Sequence, residues 1–357
     1  MIAGDSENKP VVTRKMDDGR TIHYFGQPAE NSPNSPVSVI TGGLGYIGQS
    51  LAYYLSSRGQ PVIVVDRRNI PSQLSNITVI RGSVGESEVW EWIRAHFEIQ
   101  TVYHCAGLIS VSESVAEPAP YFRENVVEAV RMLDHLRLGP PVPLVFSSSA
   151  AVYGTPTSVP IDESAEKRPM SPYGITKWQF EQVLEAYEAA YHLPWVALRY
   201  FNAAGQLGPV REMHQPETHV LPRMAQAIRQ GTSPVVFGAD YPTPDGSAIR
   251  DYVHIADLAE AHRLAAEYLR AGGTPGALNL GSGTGTSVLE LVEAFGRVSG
   301  QPVHPEVQGR RPGDPPRLVA AISRVAEVLG WQPRNSHPVD AMVRDAWQAS
   351  GVETADA

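Results

Sequence analysis

From Val37 onward the chain alternates short apolar runs with longer stretches in which apolar residues recur at helical spacing. Residues 37–40, 62–65, 78–80, 101–104, 144–147 and 195–200 read as strands, and 48–57, 86–97, 126–137 and 173–191 as the helices between them. Strand–helix–strand alternation needs crossover connections, which place neighbouring strands parallel. The pattern therefore predicts an α/β fold built on a doubly wound parallel sheet. Beyond about residue 203 the alternation loosens into loops, with helices expected near 221–230, 255–271, 287–299 and 323–329. The portion 203–357 reads as a smaller, loop-rich α/β lobe interleaved with the sheet domain at 37–202.

Residues 1–36 follow another pattern. Stretches 11–16 and 20–25 flank Asp17-Asp18-Gly19 and read as a hairpin, and 27–36, rich in Pro, Asn and Ser, as a linker. Two readings stay open: a leader without a role, or a hairpin that docks on the body or on another subunit.

Composition narrows the class. The 357 residues carry 29 Lys plus Arg against 38 Asp plus Glu, a net charge of −9, which argues against nucleic acid as a partner. An apolar fraction of 42% over this length supports a large core and excludes a disordered chain. No run approaches the ~20 apolar residues of a membrane helix. Residues 1–14 are polar, unlike a secretory signal, so the expected address is cytoplasmic, with no membrane partner. Cys105 is the only cysteine, so an intramolecular disulfide and a multi-cysteine zinc site are excluded, and no metal is expected.

The first strand runs into Thr41-Gly42-Gly43-Leu44-Gly45-Tyr46-Ile47-Gly48. Glycines 42, 45 and 48 suit a tight turn, close approach of a pyrophosphate to the backbone, and close helix–strand packing. The next strand ends in Asp66, placed to accept from adenosine ribose hydroxyls and to repel a 2′-phosphate, which favours NAD over NADP. Arg67 and Arg68 pull the other way, since arginine there can accept that phosphate. A second glycine-rich stretch, 279–285, lacks a following strand with a terminal acid and reads as a loop and helix entry.

Tyr173 and Lys177 are four apart, on one face of a helix that Ser171 caps and Pro172 opens. A phenol with an ordinary pKa of ~10 becomes a base near neutrality only if something lowers it, and the Lys177 ammonium together with NAD⁺ is the expected cause. The hydroxyl-rich segment Ser147-Ser148-Ser149 leaves the fifth strand at the end where open parallel sheets bind ligands.

With these segments, and with His104-Cys105-Ala106-Gly107-Leu108, Leu198-Arg199-Tyr200-Phe201-Asn202, Ile249-Arg250-Asp251-Tyr252-Val253-His254 and Arg310-Arg311-Pro312-Gly313-Asp314, the chain resembles the extended short-chain dehydrogenase/reductase family. Within it the resemblance is strongest to the UDP-glucose (UDP-galactose) 4-epimerase branch, over about residues 37–347. It implies a Rossmann sheet with a substrate lobe, NAD as cofactor, a UDP-sugar as substrate and a homodimer. It implies Ser149, Tyr173 and Lys177 as the catalytic set, with Tyr173 taking the proton of the sugar 4-hydroxyl while hydride passes from C4. Gly42, Gly45, Tyr46, Ile47, Gly48, Asp66, Ala106, Gly107 and Asn125, with Tyr173 and Lys177, would surround the cofactor. Asn202, Arg250 and Arg311 would hold the pyrophosphate, Phe237 the uracil, Asp314 the uridine ribose, and Ser149 and Leu318 the sugar.

Departures from the branch matter. Ile109 replaces a lysine near the cofactor pyrophosphate, and Ser83 an acid that contacts adenine. Leu318 stands where glucose-only enzymes often carry tyrosine, leaving room for an N-acetyl group at C2. Dehydratases and decarboxylases of the family need a further acid or base after the active-site hydroxyl, where this chain has Ala150 and Ala151, although Glu163 is a candidate replacement. An inert NAD-binding sensor is the remaining alternative.

Overall fold

Uninterrupted apolar runs such as Val62-Ile63-Val64-Val65 suit strands covered on both faces, and here they form the centre of one sheet. The computed structural model describes residues 12–15, 21–25, 35–68, 74, 77–210, 219–311 and 314–351. In chain order the first part contains β1 (Val12–Lys15), β2 (Thr21–Phe25), β3 (Ser35–Thr41), α1 (Tyr46–Ser56), β4 (Val62–Asp66), β5 (Ile77–Arg81), α2 (Ser87–His96) and β6 (Phe97–His104). Then follow α3 (Val111–Ala116), α4 (Pro118–Phe122), a π turn at Arg123–Val127, α5 (Glu128–Leu136), β7 (Leu144–Ser149), α6 (Pro172–Tyr191) and β8 (Trp195–Tyr200). The remainder holds β9 (Asn202–Ala204), α7 (Val220–Arg229), β10 (Val235–Phe237), β11 (Ile249–Arg250), β12 (Tyr252–His254), α8 (Ile255–Arg270) and β13 (Gly276–Leu280). It ends with β14 (Thr286–Ser287), α9 (Val288–Ser299), β15 (Glu306–Gln308), β16 (Arg317–Leu318), α10 (Ser323–Leu329) and α11 (Asp340–Ala349).

The main sheet has the order β1-β2-β5-β4-β3-β6-β7-β8-β13. From β5 to β13 its neighbours are parallel, as expected of a doubly wound sheet. The chain starts outward from β3 in both directions, so the crevice between the ends of β3 and β6 is the switch point where such sheets bind ligands. β13, from the second half of the chain, completes the sheet beside β8. The amino-terminal hairpin docks on the opposite edge: β2 runs antiparallel to β5, with Ile22 opposite Ile80. Its turn at 17–19 and the linker residues 27–34 lie outside the described residues.

One face of the sheet packs on α1 and α8 through Leu51, Leu55, Leu258 and Ala265, the other on α2, α5 and α6 through Trp90, Met132 and Phe180. A separate core of Met224, Phe295 and Val343 joins α7, α9 and α11 in the smaller lobe.

Two expected boundaries are corrected. The strand expected at 101–104 begins at Phe97, because 97–99 pair with Ser35, Pro36 and Val37, and the helix before it stops at His96. The helix expected at 126–137 is continuous with an earlier turn that Pro118 opens, and the π turn interrupts it. The 279–285 loop is a helix entry: Ser287 and Glu290 form a capping box for α9.

Candidate active site

The phosphate turn is shaped by contacts that leave no room for side chains. Gly42 has φ +67°, and a Cβ there would lie 2.5 Å from the Ala106 backbone, while at Gly48 it would lie 2.4 Å from the Gly42 carbonyl. Gly45 is the N-cap of α1 and meets no side-chain cap, so the first N–H groups at Tyr46, Ile47 and Gly48 end in a helix terminus without an acidic residue. Such a terminus favours an anion. Asp66, buried at the end of β4, accepts from the Leu44 N–H at 3.0 Å and from the Arg68 N–H at 3.0 Å. The Arg68 guanidinium also closes on it, Nε to Oδ1 at 3.1 Å and Nη2 to Oδ2 at 2.9 Å. This set fits a dinucleotide: a cramped turn for pyrophosphate and a carboxylate for ribose.

Beyond the turn, Gly107 lets two side chains approach, since a Cβ there would sit 2.9 Å from Asn125 Oδ1 and 3.5 Å from Lys177 Nζ. Asn125 lies within the π turn, not ahead of a helix as expected, and its amide is spent on the protein. Oδ1 accepts from the Leu108 N–H at 2.7 Å, and Nδ2 donates to the Leu108 carbonyl at 3.0 Å and to Thr176 at 3.1 Å. Asn125 thus fixes the 106–108 strand exit against α6. The departures are also placed. Ile109 is 42% exposed, and Ser83 donates to Glu128, which returns a carboxylate to the neighbourhood of residue 83. Glu128 was not singled out from sequence, because its partner is far along the chain.

Ser171 caps α6 through the Gly174 N–H at 3.2 Å, and Pro172 begins it. The helix carries the Tyr173 phenol to the neighbourhood of the Ser149 hydroxyl, which itself accepts from the Ala151 N–H at 3.2 Å. Burial pushes the Tyr173 phenol upward, and the Ser149 contact offsets part of this. Within the chain alone desolvation dominates this phenol; the expected lowering by Lys177 together with NAD⁺ concerns the cofactor-bound site. Lys177 Nζ, 5.8 Å from the Tyr173 ring, donates to the Ser147 carbonyl at 2.9 Å. Burial brings its own pKa down to about 8, opposed by Cys105 and Glu181.

A buried relay backs this lysine. His262 Nδ1 donates to the Leu258 carbonyl at 2.7 Å, so Nδ1 carries the proton and Nε2 accepts from the Tyr200 hydroxyl. Burial holds the ring neutral, with a pKa of about 4. Tyr200 also contacts Ser147 Oγ at 2.8 Å. Burial pushes the Cys105 thiol up to about 11.

Beside Ser149 the structure assembles the second half of the site. Leu318 packs with Ala150 and Phe201 on the cluster of Val152, Tyr153 and Ile161. Its strand pairs with β11, placing Arg250 opposite Leu318. Arg250 is ion-paired to Asp314, and the Arg311 guanidinium lies 3.9 Å from the Phe237 ring centroid. Asn202 donates to the Asp251 carbonyl at 2.9 Å. The buried Asp251 carboxylate collects the N–H groups of Ser282, Gly283 and Ala320, so the glycine-rich loop organises this strand end. Pro312 and Gly313 lie outside the described residues. Glu163 is tied to the Asn279 N–H at 2.8 Å, which accounts for it structurally. Among the described residues no cluster of His, Cys, Asp and Glu is suited to a metal, and no helix is long and apolar enough to cross a membrane.

A parallel sheet with a glycine turn at its switch point and Ser, Tyr and Lys converging beyond it defines a dinucleotide-dependent protein of the short-chain dehydrogenase/reductase type. Residues 38–281 match the NAD dependent epimerase/dehydratase family, and the chain belongs to it. It is 40% identical over 314 residues to UDP-glucose 4-epimerase of Halalkalibacterium halodurans, covering 87% of this chain and 94% of that one. The crystal structure of UDP-glucose 4-epimerase from Brucella ovis in complex with NAD superposes with a TM-score of 0.84 at 39% identity, covering 89% of this chain and 99% of that chain. UDP-N-acetylglucosamine 4-epimerase from Methanobrevibacter ruminantium M1, in complex with UDP-N-acetylmuramic acid, gives 0.77 at 28% identity, covering 89% and 100%.

Proposed function

We propose that this chain is an NAD-dependent 4-epimerase of a UDP-sugar of the glucose/galactose type, with N-acetylated sugars among its substrates. The observation that carries the reading is the Ser149–Tyr173 hydroxyl pair followed by Ala150 and Ala151. This pair can move one proton at one oxygen, and the alanines offer no second acid or base for elimination. Tyr173 takes the proton of the 4-hydroxyl, and Ser149 donates to the same oxygen. The glycine turn and Asp66 would hold NAD, which when bound would supply the hydride acceptor and donor for C4. Between these events the 4-keto sugar turns about its pyrophosphate, which Asn202, Arg250 and Arg311 hold. Tyr173 then gives its proton back, so the reaction closes without an external redox partner.

Asp66 and the turn at Gly42, Gly45 and Gly48 hold the dinucleotide, with Ala106, Gly107 and Lys177 around the nicotinamide end and Asn125 keeping that wall in place. Phe237 packs on uracil and Asp314 accepts from the uridine ribose. The small side chain of Leu318 supports acceptance of an N-acetyl group, and a relative of that specificity shares the fold. A homodimer in the cytoplasm belongs to the same reading. The exposed apolar Val111, Val115 and Val127, close to α6, support the first, and the single unpaired thiol of Cys105 the second.

The test is incubation of the full-length protein with UDP-glucose and, separately, UDP-galactose, read by proton NMR. Both reactions are expected to reach one mixture of the two sugars. Loss of water from either sugar, or of carbon dioxide from UDP-glucuronate offered in a parallel incubation, read by mass spectrometry, overturns the reading.

A further inference from the structure

Asp66 is the residue that would bar a 2′-phosphate from the adenosine end of the site, and in this chain its charge is already met. Arg68 engages both carboxylate oxygens in the paired geometry that guanidinium also offers to phosphate. The same guanidinium reaches the phosphate turn, with Nη2 3.3 Å from where a Cβ of Gly45 would stand. It therefore spans the space between the carboxylate and the pyrophosphate turn, where an adenosine ribose belongs.

Asp66 does not depend on that side chain for its position. The backbone N–H groups of Leu44 and Arg68 hold it, so the guanidinium, 42% exposed, is able to swing away without freeing the acid. A second cation stands alongside: Arg81 ends β5 in register with Asp66, and its side chain is exposed. Arg67 is committed to Glu124 at 2.7 Å, and Glu128 to Ser83 and Arg131. Setting the paired groups aside, Asp66 has Arg68 in contact and Arg81 in register on the neighbouring strand.

We propose that Arg68 makes the adenosine end of this site permissive to a 2′-phosphate, so that the chain binds NADP as well as NAD. With NAD the guanidinium moves off Asp66 and the ribose hydroxyls donate to the carboxylate. With NADP it pairs with the phosphate, Arg81 adds its charge, and Asp66 keeps its backbone partners. The inference rests on the dinucleotide reading of the glycine turn.

The experiment is equilibrium dialysis of the full-length protein against equal concentrations of NAD and NADP, with bound nucleotide identified by mass spectrometry. NADP is expected to make up at least about a tenth of the bound nucleotide, and Arg68→Ala to lower the NADP-to-NAD ratio at least about tenfold while NAD still binds. Added salt is expected to lower that ratio in the wild type, because it screens an exposed charge pair. An NADP share below about a tenth in the wild type, or a ratio that Arg68→Ala leaves unmoved, overturns the inference while the dinucleotide reading stands. Binding of neither nucleotide overturns both.

Discussion

Arg199 of β8 holds Glu181 of α6 through Nε at 3.0 Å and Nη2 at 2.5 Å, and Glu181 lies one helical turn beyond Lys177. Both side chains are buried, 4% and 1% exposed, and Ser148 donates to the same carboxylate. Three consecutive serines of β7 thus meet three successive turns of one helix: Ser149 meets Tyr173, the Ser147 carbonyl meets Lys177, and Ser148 meets Glu181. The ion pair locks the position of α6 along the strand, and with it the height of the phenol. Glu181→Ala leaves a buried guanidinium without its partner and is expected to cost about 3–5 kcal/mol in urea denaturation. Glu181→Leu combined with Arg199→Met is expected to recover most of that loss.

Tyr173→Phe removes the phenol oxygen beside Ser149 and keeps the ring that fills the space. The expected outcome is a fall in kcat of about 10²–10⁴-fold with an unchanged denaturation midpoint. Ser149→Ala, which keeps the phenol, is expected to cost less. A Tyr173→Phe protein with near wild-type turnover would return the site to the inert-sensor reading.

Two buried histidines set the acid limit of stability. Burial, with the charge of Lys177, lowers His104 to about 3, and burial lowers His262 to about 4. An unfolded histidine titrates near 6.5, so below that pH the unfolded chain binds more protons and stability falls as pH falls. The loss per histidine approaches about 1.4 kcal/mol for each pH unit between 6.5 and the folded value. Urea midpoints compared at pH 7 and pH 5 are expected to show this slope. His262→Gln is expected to make it shallower.

Leu318 pairs across the strand with Arg250 and packs beside Ala150, next to the hydroxyl pair. Leu318→Tyr is expected to lower kcat/KM for UDP-N-acetylglucosamine by at least about tenfold and to spare UDP-glucose, because the larger ring fills the space beside C2. Equal turnover of both sugars by both proteins would remove Leu318 as the gate.

The hairpin covers an edge that is otherwise open. A chain lacking residues 1–34 leaves the outer N–H and C=O groups of β5 without the pairs at Ile77–Ile80. It is expected to unfold roughly 2–4 °C lower and to self-associate more in light scattering. Unchanged values for both would make the leader dispensable.

What was legible in the sequence follows from distance along the chain. The glycine turn, the Tyr173–Lys177 spacing and the Ser171-Pro172 helix start are local patterns whose geometry a few adjacent residues determine. Arg199 with Glu181, Ser83 with Glu128 and Tyr200 with His262 join residues 18, 45 and 62 positions apart, and no periodicity marks such partners. The hairpin strands were readable, but their attachment to β5 depends on which sheet edge is open. The π turn escaped because its residues have ordinary helical composition, and the bond from the Leu108 N–H to the Asn125 amide within it joins distant parts of the chain. The upward push of burial on the Tyr173 phenol was not legible, because burial is a property of the assembled fold.

The last strand of the main sheet, β13, is supplied by residues 276–280 and is hydrogen-bonded to β8. On the ribosome, the amino-terminal half therefore waits with an unpaired β8 edge until most of the chain has been synthesised. The hairpin is made first and finds β5 early, closing the opposite edge during that wait. One edge of the sheet is thus closed by an earlier segment and the other by a later one, and a truncation before residue 276 leaves the β8 edge unpaired.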